Sequence, residues 1–171
     1  MKNQRYALSF LAIGLISLML GLLCGFLAGV QYVVPDFIKT IVPFSTMRPL
    51  HTLFVISWIL LSAIGGIYYY IQSQQQIPGK GSHIQWHFWI FIITGIGIIY
   101  VYLTQQFGGK EYLEFPFYFY FPIVLGWTLF GIFYFKTLLS EYKNWPVYYW
   151  MWGTGILFMI YHFTEAHFWM L

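Results

Sequence analysis

The stretch 6–34 reads YALSFLAIGLISLMLGLLCGFLAGVQYVV and contains no charged side chain. About 20 helical residues cross a bilayer core of about 30 Å. This run exceeds that length. It is also too long for the core of a secretory signal peptide and has no clean small-residue cleavage site, so it predicts a retained membrane helix. Four further apolar runs follow at about 50–71, 84–103, 117–138 and 147–171. The breaks between them are short and polar. They comprise Val34-Pro35-Asp36, the segment 43–49, SQQQIPGKG at 73–81, GGKEYLEFP at 108–116 and SEYKNWP at 140–146. Gly and Pro punctuate each break, as helix ends require. The expected fold is all-α: a polytopic membrane helix bundle of about five transmembrane helices forming a single membrane domain over 1–171. A four-span arrangement, with one run lying in the interface, is the alternative.

Composition supports the same class. Only 8% of the 171 residues are charged, 60% are hydrophobic and 24% are aromatic. Soluble domains carry about 25% charged residues, so this chain could not cover a water-facing surface. The net charge of +3 is scattered over the loops and forms no basic patch, which excludes a nucleic-acid partner and leaves membrane lipid as the first neighbour. Cys24 is the only cysteine, so no disulfide forms within the chain, and its apolar surroundings fit a small packing residue. Tyr68, Trp86, Trp89 and the aromatic group at 145–152 mark run ends, as interfacial belts do. With the N-terminus inside, Lys2, Arg5, Lys80, Lys136 and Lys143 face the cytoplasm, against Lys39, Arg48 and Lys110 outside. This excess favours a cytoplasmic N-terminus.

In a chain with so few charges, ionisable groups near the apolar runs are the candidates for chemistry. His51 follows Met47-Arg48-Pro49-Leu50. Pro49 suits a first helical turn, where its missing N–H costs nothing. This places Arg48 at the water boundary and His51 one turn into the second helix. An imidazole at that depth can ligate a heme iron, with a guanidinium above it for the propionates; a hydrogen-bonded structural histidine satisfies the same pattern. Further along this helix, Ser62, Gly65 and Gly66 leave room for a flat macrocycle or for another helix. His162 and Glu165 lie about 60° apart on one helix face, whereas His167 points away from Glu165. That pair could bind a non-heme iron, relay protons, or hold the helix end by hydrogen bonding. Glu111 and Glu114 could offer oxygens to calcium or form a solvated loop. His83 and His87 read as interfacial anchors. Gly21, Gly25 and Gly29, at spacing four, with Gly14 and Ser17 above them, read as a helix-packing face.

Two segments together resemble the catalytic subunit of bacterial nitric oxide reductases, within the heme-copper oxidase superfamily. One is Arg48-x-x-His51-Thr52 leading to Trp58, Gly65, Gly66 and Tyr68. The other is Gly109-Lys110-Glu111-Tyr112-Leu113-Glu114, similar to an outer Gly-Arg-Glu-Tyr-Leu-Glu loop of that family. The resemblance implies that His51 is an axial ligand of a low-spin heme b and that Arg48 meets its propionates. It also implies that Glu111 and Glu114 lie near a calcium ion, in the cytoplasmic membrane of a bacterium. The family's remaining heme and metal ligands come from later helices. Its His-x-x-x-Glu pair also differs in spacing from His162-x-x-Glu165. The resemblance makes the chain equivalent to the N-terminal portion of a larger catalytic subunit, and one histidine does not complete a six-coordinate heme, so either other membrane subunits supply the remaining ligands or the chain is the N-terminal portion of a split or truncated subunit. A cytochrome c-type subunit would be a further partner. The chain would then be part of an oxidoreductase and inactive in isolation. Two other functions compete: an accessory membrane subunit without a cofactor, and an ion-translocating subunit with Glu165 as the proton carrier. The latter ranks last because paired broken helices are lacking.

Overall fold

The computed structural model describes residues 4–74 and 82–168, with the side chains of His167 and Phe168 excepted. It contains α1 (Gln4–Val33), α2 (Phe44–Gln74), α3 (Ser82–Leu103), α4 (Tyr120–Leu138) and α5 (Val147–Phe168). No strand occurs among the described residues, so the all-helical expectation holds. Among the described residues, four helical segments are long and apolar enough to cross a membrane, namely α1, α2, α3 and Phe117–Asn144, and the chain is a multi-pass membrane protein. With 22 residues, α5 is about 33 Å long. Its Tyr/Trp-rich first turns and polar last turns dilute its apolar character. Lys2 and Lys80 of the charge count, most of the turn at 73–81 and the end of the fifth run lie outside the described residues.

The chain folds as two compact units. The first comprises residues 1–79 and 97–116. Its frame is the antiparallel pair α1 and α2. A side chain at Gly65 would meet Ala7 and Leu11, one at Gly14 would meet Ser62, and one at Gly21 would meet Phe54 and Val55. The residue numbers therefore fall on one helix as they rise on the other. The buried stripe of α1 is Ala7, Phe10, Gly14, Ser17, Gly21, Ala28 and Gln31. That is a seven-residue repeat, with small residues at 7, 14, 21 and 28. Gly21 and Gly25 both pack on α2, as expected of a helix-packing face, and Gly29 alone of the three does not. Gly29 has no atom within 4 Å of where its side chain would be, and it lies off the seam. Small residues permit close backbone approach, and the gain is dispersion contact along the whole hairpin.

At the α1–α2 turn, Gln31 is buried and its Nε2 donates to the carbonyls of Phe37 and Val42, at 3.0 and 2.7 Å. This satisfies turn carbonyls that lipid could not. The turn ends at Pro43, whose carbonyl accepts from the N–H groups of Thr46 and Met47. Consequently α2 starts at Phe44 instead of near residue 50. Pro49 sits inside the second turn, and His51 lies about two turns from the helix start instead of one.

The second unit comprises residues 80–96 and 117–171. Here α4 packs on α5 through Gly131 against Ile156 and through Gly153 against Tyr134 and Phe135. The ring of Phe91 fills the space that Gly126 leaves open. Trp145 Nε1 donates to the carbonyl of Leu138 at 2.8 Å and pins the turn between the two helices. His87 departs from its expected role as an interfacial anchor. It is fully buried, stacked on Phe130 at 5.6 Å and edge-on to Phe91 at 4.4 Å. One turn earlier, His83 is exposed. Two histidines on one helix face thus differ in burial, because aromatic rings meet only the second.

Candidate functional site

The candidate site lies wholly within the first unit, where α2, α1 and the loop 104–116 meet. His51 is half-buried on α2 and faces α1. Its Nδ1 lies 2.8 Å from the carbonyl oxygen of Gly21. A carbonyl oxygen can only accept, so the proton of the neutral ring resides on Nδ1 and donates to Gly21. Nε2 then carries the lone pair, which is the protonation pattern of a metal-ligating imidazole. The ring rests on Gly25, where a β-carbon would lie 2.7 Å from Nδ1 and 2.8 Å from Cε1.

Arg48 precedes His51 by three residues, about 4.5 Å along the axis and about 60° around it. Its guanidinium contacts a carboxylate oxygen of Glu114, and a second nitrogen lies 3.9 Å from a carboxylate oxygen of Glu111. The two acids differ in surroundings. The Glu114 side chain is 16% exposed and that of Glu111 69%. Arg48, Pro49, Thr52, Tyr102, Glu111, Tyr112 and Glu114 line a cavity of about 130 Å³.

Local backbone geometry delivers the acids. The N–H groups of Gly108 and Gly109 donate to the carbonyl of Glu114, and Leu113 N–H donates to Lys110, closing a small hairpin. A β-carbon on Gly109 would collide with the Leu113 carbonyl, so only glycine permits the closure. Tyr112 takes a left-handed backbone conformation at φ 68°. Such strain persists only where the surroundings over-determine it. Tyr102, 2% exposed, is buried beside the hairpin and lines the same cavity as Glu111, Tyr112 and Glu114.

The donor set fits a heme iron at His51, with one imidazole offering Nε2 and a cation one turn away. It does not by itself fit calcium. That ion takes six to eight oxygens, whereas Arg48 already engages both acids and no group of three or more His, Cys, Asp or Glu among the described residues could hold a metal. His162 and Glu165 both stand exposed on α5, and no ion pair among the described residues joins them. The side chain of His167 lies outside the described residues. The sequence left Gly21, Gly25 and Tyr102 without a role at this site. Their part depends on which helix pairs with which, and the glycine spacing alone reports only small volume.

Comparison with known proteins gives two findings. The family profile described as cytochrome c and quinol oxidase polypeptide I matches residues 5–171. A nitric oxide reductase chain of Stutzerimonas stutzeri is 28% identical over 130 residues, an alignment covering 67% of this chain and 27% of that protein. The chain therefore spans only about a quarter of the length of that relative.

Proposed function

The chain belongs to the cytochrome c and quinol oxidase polypeptide I family, within the heme-copper oxidase superfamily, and from that premise we propose that it is a heme b-binding subunit of a nitric oxide reductase-like respiratory complex. In this reading His51 would hold the iron of a low-spin heme through Nε2. The supporting observation is the 2.8 Å bond from Nδ1–H to the Gly21 carbonyl. It fixes the tautomer, holds the ring plane and leaves the ligating nitrogen free. A bound heme b supplies one-electron transfer. The chain's own residues position and neutralise. Arg48 offers its remaining N–H groups to carboxylates of the group, and Glu114 holds the guanidinium in place.

The remaining heme ligand, and those of any second metal centre, would come from outside these 171 residues. The reaction proposed for the assembled complex is reduction of nitric oxide, after the name of that relative. A cytochrome c-type subunit is proposed as an electron donor, and a bacterial cytoplasmic membrane with the N-terminus inside as the setting. Non-heme iron at His162 and Glu165 would also need ligands from outside this chain. Calcium at Glu111 and Glu114 would need oxygens from elsewhere, so neither metal is given a step.

The test is His51→Ala in the purified assembled complex, read by the reduced-minus-oxidised spectrum and by pyridine hemochrome quantitation. Loss of the low-spin b-type signal is expected. A full signal would overturn the ligand role and favour an accessory subunit without a cofactor.

A further inference from the structure

We propose that Gly25 is a positioning residue for His51, reserving the approach by which the imidazole reaches the Gly21 carbonyl. The inference rests on the proposed ligand role of His51. In an α-helix the carbonyl of residue 21 points at the N–H of residue 25. That oxygen has a second lone pair. A donor from a neighbouring helix reaches this lone pair by passing over the β-carbon position of residue 25. Here the imidazole occupies that position. A β-carbon at 25 would stand 2.7, 2.8 and 3.5 Å from Nδ1, Cε1 and Cγ of His51. The whole near edge of the ring therefore lies where any other residue would put a side chain.

The neighbouring glycines separate this role from general packing. A β-carbon at Gly14 would lie 2.5 Å from Ser62 Oγ, as tight a clash in the same helix pair, but about three turns from His51. A β-carbon at Gly29 would meet nothing within 4 Å. To restore ordinary contact at 3.4 Å from 2.7 Å, the ring must retreat by about 0.7 Å in Gly25→Ala. A retreat of that size along the bond takes it from 2.8 Å to about 3.5 Å, outside the usual hydrogen-bond range of about 2.7–3.2 Å. The bond from Nδ1–H makes Nε2 more basic and so favours the higher charge on a bound metal. Its loss moves a bound heme toward the reduced state.

The experiment compares Gly25→Ala, Gly14→Ala, Gly29→Ala and His51→Ala in the purified assembled complex. The readouts are the low-spin ferric electron paramagnetic resonance spectrum and the heme midpoint potential. Gly25→Ala is expected to shift the g values and raise the potential. Gly29→Ala and Gly14→Ala are expected to keep the native values in whatever complex assembles. Native values in Gly25→Ala overturn the inference. So does an equal shift in Gly14→Ala, which would make the effect one of helix packing. Failure of Gly25→Ala to assemble while Gly14→Ala assembles with native spectra supports it, and failure of both counts against it. His51→Ala distinguishes the two layers. A retained spectrum there removes the ligand role itself, whereas a lost spectrum beside a native Gly25→Ala removes only the positioning role.

Discussion

Removing the Glu114 carboxylate should cost more than removing that of Glu111, although both acids face the same arginine. The two are three residues apart on one hairpin, so sequence position alone would rank them equally. Burial does not. Unit charges at about 4 Å interact by about 4 kcal/mol at an effective dielectric of about 20, and by about 1 kcal/mol in water. Arg48 is 52% exposed and Glu114 16%, so their pair falls between these limits. After discounting for the exposed guanidinium, its coupling should be about 1–2 kcal/mol. Glu111 is 69% exposed and stands off at 3.9 Å, so its coupling should stay below about 0.5 kcal/mol. A double-mutant cycle with Arg48→Gln, Glu114→Gln and Glu111→Gln, followed by unfolding of the assembled complex in bicelles, measures both terms. Equal couplings, or a Glu111 term larger than the Glu114 term, would refute the claim that Glu114 holds Arg48 in place.

Two other substitutions probe what carries the site. Gly109→Ala should open the hairpin at Leu113, costing about 1–3 kcal/mol in the same unfolding assay and erasing the Arg48–Glu114 coupling; retention of that coupling would show that the hairpin is not what delivers Glu114. Gln31→Leu should leave the carbonyls of Phe37 and Val42 without their donor and destabilise by about 1–3 kcal/mol, with raised protease sensitivity at 34–43 as the check; an unchanged cleavage rate would mean that the turn does not depend on Gln31.

The helices were legible in the sequence because membrane insertion imposes a simple constraint. Uncharged runs of sufficient length become helices, and their breaks carry Gly, Pro and charge. The ends were less legible. Pro49 looked like a first-turn residue, yet Pro43 supplies the carbonyl that starts α2 and carries the helix past Pro49. His87 read as an interfacial anchor, yet it is fully buried. Its burial depends on Phe130, which is distant in the chain. At the site, Arg48, His51, Glu111 and Glu114 stood out because a charge in an apolar chain is conspicuous. Gly25 did not, since a glycine that packs a helix and a glycine that seats a ring have the same local sequence. The seam of α1 shows the same limit. Glycines at 21, 25 and 29 suggest a period of four, while the buried set follows a period of seven.

The division of polar groups on α5 bears on how much of a site one chain can build. Gly153, Ile156 and Phe163 form the buried side of this helix. Its opposite side carries Met151, Thr154, Phe158, His162 and Glu165, all exposed. With α5 taken as a fifth span, a carboxylate at the centre of a helix facing hydrocarbon costs about 2.5–3.5 kcal/mol even on insertion scales, and ionisable residues in such helices almost always face protein or water. A neighbouring helix with a donor would relieve that cost for Glu165. In the first unit the balance differs. There Arg48 is met by two acids, and His51 finds its acceptor on α1. On the proposed reading, the groups that would orient a ligand find partners here, while the second heme ligand and the polar face of α5 are left to structure outside the described residues. Further helices that supplied the heme's other ligand without covering His162 and Glu165 would leave that cost in place, so these helices, or others beside them, should contact α5.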